Sequence, residues 1–134
     1  MIALKSAVIP VAEEADVVKV RQAVRALALE IKLSLVDQTK VVTAASELGR
    51  NLLIHGGGGE VRLELVQEGA RKGVRATFED QGPGIPDLAL AMKDGFTTGS
   101  GMGLGLGGAK RLVNDFEIVS NAPIGTRVTI TKWR

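Results

Sequence analysis

The chain has 134 residues, with 17 lysines and arginines against 15 aspartates and glutamates, a single histidine and no cysteine. That length suits about one domain with a real core, and the missing cysteines exclude a disulfide scaffold, a thiolate zinc site and thiol catalysis. A net charge of +2, one tryptophan and three phenylalanines argue against a nucleic-acid partner, and no signal peptide or apolar run of ~18 residues points to a membrane, so the expected location is cytoplasmic.

Residues 2–10 read as a short apolar strand ended by Pro10. Val17, Val20, Val24, Leu27 and Ile31 recur at spacings of three and four, the single apolar stripe of an amphipathic helix. Asp37 is the expected N-cap of a second helix. Its apolar side is Val41, Ala45, Leu48 and Leu52, and it should stop at the glycine run after His55. Val61, Leu63 and Leu65 alternate with Arg62 and Glu64, which predicts a half-buried strand over 60–67. The segment EGARKG turns the chain, and Val74, Ala76 and Phe78 make a second strand, hairpin-paired with the first. Residues 88–92 read as one helical turn, 94–103 as a mobile loop, and 104–115 as a third helix carrying Leu106, Leu112 and Val113. Phe116 and Ile118 mark a fourth strand, SNAPIG a turn, and Val128 and Ile130 a last strand. The order β-α-α-β-β-α-β-β is not regular βαβ alternation. It predicts an α+β two-layer sandwich over residues 1–134, a mostly antiparallel sheet with helices on one face.

Seventeen glycines are nearly twice the average share of ~7 %. Nine lie between Gly82 and Gly108 and four more form Gly56 to Gly59. The second group fits either a flexible loop or a strict backbone requirement. On the second helix, Thr43, Glu47, Asn51 and His55 stand four apart and share one face. Glu47 and Asn51 supply a carboxylate and an amide oxygen, hard ligands for Mg²⁺; the carboxylate could equally orient a hydroxyl or water, and the same spacing also fits a solvated face. His55 reads as a surface histidine at the helix end. Asp80-Gln-Gly82-Pro-Gly84 places a carboxylate where a strand runs out, able to accept from an amino group while backbone closes over a flat ring. An ordinary turn has the same residues.

Gly101-Met-Gly103-Leu-Gly105-Leu-Gly107-Gly108-Ala-Lys110 leads into a helix, where unsatisfied N–H groups suit phosphate. Gly103, Gly105 and Gly108 spell a dinucleotide fingerprint, but no strand precedes them and no acidic residue follows at the required distance. A Walker A loop lacks its Gly-Lys-[Ser/Thr], and a eukaryotic-type kinase lacks the length for its other parts. What remains is a phosphate-binding lid or a linker.

Taken together, Glu47-x-x-x-Asn51, Asp80-x-Gly82-x-Gly84, Gly101-x-Gly103-x-Gly105 and Gly125-Thr126 stand in the order of the N, G1 and G2 boxes and closing Gly-Thr of GHKL (Bergerat-fold) ATPases. Over nearly its whole length the chain resembles that superfamily. Within it, SELGRN, EDQGPGIPD, DGFTT, AKRLVNDFEI and GTRVTITKWR make it similar to the anti-sigma-factor serine kinases, stressosome switch kinases among them. The resemblance implies ATP and Mg²⁺ as cofactors. It implies Asn51 on the metal, Glu47 as the base or orienting carboxylate for a serine hydroxyl, and Asp80 accepting from the adenine amino group with Thr126 assisting. Gly82 and Gly84 would let backbone pass the adenine, and Gly101, Gly103 and Gly105 would wrap the phosphates, with Lys93 and Lys110 flanking that lid. The implied substrate is a STAS-domain antagonist in a partner-switching stress circuit, with activation of a PP2C-type phosphatase as a further role. The other reading is an ATP-gated binding module that sequesters a sigma factor. Whether the chain forms a homodimer stays open.

Overall fold

The computed structural model describes residues 1–80, 105–121 and 125–134. In chain order the elements are β1 (Ile2–Val11), α1 (Glu14–Glu30), α2 (Leu35–Gly56), β2 (Gly59–Glu68), β3 (Arg71–Asp80), α3 (Gly105–Arg111), β4 (Asp115–Asn121) and β5 (Gly125–Trp133). The five strands form one sheet in the order β1-β2-β3-β5-β4, and every neighbouring pair is antiparallel. The expected α+β sandwich is what forms. The expected helical turn at 88–92, the loop at 94–103 and the middle of SNAPIG lie outside the described residues.

Period-two alternation decides which face of the sheet meets the helices. The rows Val61–Phe78–Val128 and Leu63–Ala76–Ile130 run across β2, β3 and β5, and all six side chains are buried in one cluster with the helices. From α1 that cluster takes Val17, Val20, Val24 and Ala28; from α2 it takes Val41, Ala45, Leu48 and Leu52. Leu27, expected on the stripe of α1, is only partly buried and packs at its margin. Each fully buried valine or leucine contributes about 1.5–3 kcal/mol, which is what fixes both helices on this face.

Three boundaries differ from the sequence expectation. Pro10 does not end β1; the strand continues to Val11, with Pro10 opposite Glu60. Proline lacks the ladder N–H, a defect that an edge strand tolerates, and β1 is an edge. The cap of α2 is Ser34 rather than Asp37. The Ser34 hydroxyl accepts from the Asp37 N–H at 3.1 Å, so the helix begins three residues earlier, at Leu35. Asp37 instead sits in the first turn, where its charge suits the helix dipole, and its carboxylate lies 3.6 Å from Lys132 Nζ. The third helix stops at Arg111 rather than running to 115. Leu112 and Val113 make single turn bonds to Ala109 and Lys110, and the Asn114 N–H then donates to Thr131 O at 3.1 Å, handing the chain to the sheet.

At the start of α1 the Asp16 carboxylate accepts from the backbone N–H groups of Ala12 and Glu13 at 2.9 and 3.1 Å. The Ala12 bond above all holds the Asp16 carboxyl below the usual carboxylate range. Among the described residues no helix is long and apolar enough to cross a membrane.

Candidate functional site

The polar stripe of α2 becomes less exposed toward its middle. Thr43 and Asn51 are half-buried, His55 is exposed in the last turn, and Glu47 is only 5 % exposed. Carboxylates are almost never placed that deep unless a polar environment receives them. Burial of Glu47 beside the core, one turn from Asn51, removes the solvated-face reading for this half of the stripe.

The far end of α2 closes on Asp80. A Cβ added to Gly56, the last residue of the helix, would lie 2.6 Å from Asp80 Cγ and Oδ2. The carboxyl of Asp80 is therefore seated against bare backbone at the helix end. Gly59, the first residue of β2, is held as tightly. A Cβ there would collide with Glu79 O and come within 3.0 Å of Leu52 Cδ1. Between them Gly57 ends the helix with φ 73°, the left-handed conformation in which glycine carries no Cβ penalty. The run Gly56 to Gly59 is thus a backbone requirement rather than a flexible loop. Sequence reasoning missed Gly56 and Gly59 as site residues, because their contacts run through space to the end of β3. The signal that could have found them was four glycines standing directly between a helix and a strand.

Across the sheet, Asp80 is the register partner of Thr126 on β5, and Thr126 in turn faces Ser120 on β4. Directly opposed residues share a face with Cβ atoms about 5 Å apart, so the carboxyl and the hydroxyl converge on the helix side at one end of the sheet. The structure thus gathers Asp80 and Thr126 around the last turn of α2. Asn51 and Glu47 lie about 7 Å and about 13 Å back along that helix at ~1.5 Å per residue.

Of the glycines assigned to the lid and the adenine strip, Gly82, Gly84, Gly101 and Gly103 lie outside the described residues, as does Lys93. Gly105 opens α3. That helix rests on the core through Leu106 and Ala109, and Lys110 is exposed in its last turn. Among the described residues no cluster of three or more histidine, aspartate or glutamate side chains could by itself hold a metal ion. In the second half of α2, Asn51 and Glu47 offer one amide oxygen and one carboxylate, a set that fits a hard cation sharing its shell with phosphate oxygens and water.

The chain is similar to several known proteins. A family model described as histidine kinase-, DNA gyrase B- and HSP90-like ATPase matches residues 36–134. The serine/threonine-protein kinase RsbT of Bacillus subtilis is 44 % identical over 120 residues, 90 % of either chain. The anti-sigma F factor of Bacillus cytotoxicus is 31 % identical over 84 % of this chain and 81 % of that one. Among solved structures, the RsbU and RsbW domains of a Mycobacterium tuberculosis protein superpose with a TM-score of 0.66 at 26 % identity. That match covers 96 % of this chain, which spans about a third (31 %) of the solved one.

Proposed function

Because the chain belongs to the family of histidine kinase-, DNA gyrase B- and HSP90-like ATPases and is a serine/threonine protein kinase within it, we propose that it phosphorylates a STAS-domain antagonist from Mg·ATP in a partner-switching circuit. The observation that carries this reading is the buried Glu47 one turn from Asn51, on the helix whose far end seats Asp80. Adenine reading, metal holding and hydroxyl orientation would then follow one another along α2 in the order in which the parts of ATP lie.

In this mechanism Asp80 accepts from the adenine amino group while Thr126 contributes its hydroxyl beside it. Gly56 and Gly59 keep the floor under Asp80 free of side chains, and Gly82 and Gly84, which lie outside the described residues, would let backbone pass the ring. The amide oxygen of Asn51 would hold Mg²⁺, whose charge would offset that of the phosphates. Glu47 orients the serine hydroxyl of the substrate and takes its proton as the oxygen bonds to the γ-phosphorus; the bond from that phosphorus to the bridging oxygen breaks and ADP leaves. Phosphoryl transfer needs little else, since positioning and charge neutralisation supply most of the catalysis. Release of the kinase from the phosphorylated antagonist, and activation of a PP2C-type phosphatase by the freed kinase, complete the proposed circuit.

The anti-sigma F relatives favour one second reading, a nucleotide-gated module that sequesters a regulator. Both readings require ATP; only the kinase requires Glu47. Label transfer from γ-labelled ATP to a purified STAS-domain protein separates them. Transfer that vanishes in Glu47→Gln, with ATP binding kept, supports the kinase. ATP-dependent binding of the regulator without transfer supports the module.

A further inference from the structure

Three lysine or arginine side chains among the described residues are buried or half-buried: Arg50, Arg75 and Lys132. Two of them have acid partners. Arg75 Nε lies 2.9 Å from Glu64 Oε1, and Lys132 Nζ lies 3.6 Å from Asp37 Oδ1. Arg50 differs. Among the described residues, no hydrogen bond or ion pair engages its guanidinium. Drawing a charge out of water costs free energy that a paired group recovers. The stem of an arginine can pack along its own helix, but its five donors still call for acceptors.

The place of Arg50 on α2 decides which acceptor suits it. At 3.6 residues per turn, Glu47 lies between Arg50 and Asn51 around the helix, about 60° from the first and about 40° from the second. Helical side chains also lean toward the N-terminus, which carries the Arg50 side chain back over the turn that holds Glu47. Glu47 has an interaction partner of its own and forms no ion pair with Arg50. A buried carboxylate is thus flanked by an amide oxygen on one side and an uncompensated guanidinium on the other. An anion brought up to Glu47 meets that charge.

We propose that the Arg50 guanidinium holds two non-bridging oxygens of the γ-phosphate of ATP and offsets the charge that gathers there during transfer. The inference rests on the roles given above to Glu47 and Asn51 and adds a residue to them. A planar guanidinium grips phosphate through two parallel N–H bonds, where an ammonium acts as a point charge. As the serine oxygen bonds to the γ-phosphorus and the bond to the bridging oxygen breaks, negative charge is spread over the equatorial oxygens. Arg50 stays protonated throughout, and the serine proton goes to Glu47.

The test compares ATP with ADP, because only ATP carries the γ-phosphate. Calorimetry with Mg²⁺ measures both nucleotides on the intact chain, Arg50→Gln and Arg50→Lys, with melting temperatures as the check on folding. Arg50→Gln is expected to bind ADP unchanged and ATP about tenfold more weakly, the order of one charged hydrogen bond. Label transfer to a purified STAS-domain protein should fall about a hundredfold or more at saturating ATP, with KM for that protein unchanged. Arg50→Lys should restore ATP binding more than transfer, since it keeps the charge and loses the fork. Equal losses for ATP and ADP, no loss for either, or full transfer by Arg50→Gln overturns the proposal. An intact chain that binds ATP and transfers nothing counts against the proposed phosphorylation instead, and the comparison of ATP with ADP then decides the place of Arg50 by itself.

Discussion

The two ends of α2 solve opposite problems. At its C-terminal end, Gly56 and Gly59 strip side chains away so that backbone and the Asp80 carboxyl come into contact. At its N-terminal end, Leu35 and Val36 put large apolar side chains into solvent directly after the Ser34 cap. A site for a small, flat ligand is made by removing bulk until backbone can approach. At the other end Leu35 and Val36 leave apolar surface that the core of this fold does not use. The core residues between, Val41, Ala45, Leu48 and Leu52, hold the two ends in fixed relation.

That contrast can be broken from either end. The largest effect is expected in the middle of α2. Asn51→Ala should lower phosphoryl transfer by about a thousandfold or more, as losses of charge-stabilising groups do, with the melting temperature little changed because the side chain is only half-buried. Retained activity would remove Asn51 from the metal. Next, Asp80→Asn should weaken ATP binding by about tenfold to a hundredfold and GTP binding by much less, since a mismatched polar group at a recognition point costs about 1–3 kcal/mol. Calorimetry with both nucleotides measures it, and equal losses would contradict adenine reading by Asp80.

Gly56→Ala should follow, at about tenfold weaker ATP binding, or ~1.4 kcal/mol. The new methyl group meets the Asp80 carboxyl, while the helical backbone at 56 accepts alanine. At the other end, Leu35→Asp should leave ATP affinity untouched and stability within about 0.5 kcal/mol, because an exposed first-turn residue carries no packing and an acid there suits the dipole. The smallest effect is a pH dependence at the start of α1. Asp16 has a lowered folded value, so its contribution is complete above the unfolded carboxylate pKa of ~3.9 and fades as pH falls through the folded value. Hydrogen exchange at Ala12 and Glu13 should speed up only in that acid range.

The sequence made legible what periodicity governs. The stripe from Val17 to Ile31 and the alternations at Val61–Leu65 and Val74–Phe78 locate helix and strands because each records one buried face. The polar stripe with Glu47 and Asn51 was legible for the same reason, and so was Asp80 at a strand end. What escaped depends on contacts between distant segments. Ser34 and Asp37 are both competent caps, and only the path of the loop after α1 chooses Ser34. The end of α3 is decided by the bond from Asn114 to Thr131. Gly56 and Gly59 acquire meaning only when β3 is laid against the end of α2. The helix-to-sheet rows also hide the place of β5, which sits between β3 and β4.

The most direct measurement is transfer of label from γ-labelled ATP to a purified STAS-domain protein, comparing the intact chain with Glu47→Gln under conditions where both bind ATP. Serine phosphorylation by the intact chain and its loss in the variant is the predicted result. Equal transfer by both proteins would contradict the role given to Glu47, and binding of ATP with no transfer by either would contradict the proposed substrate.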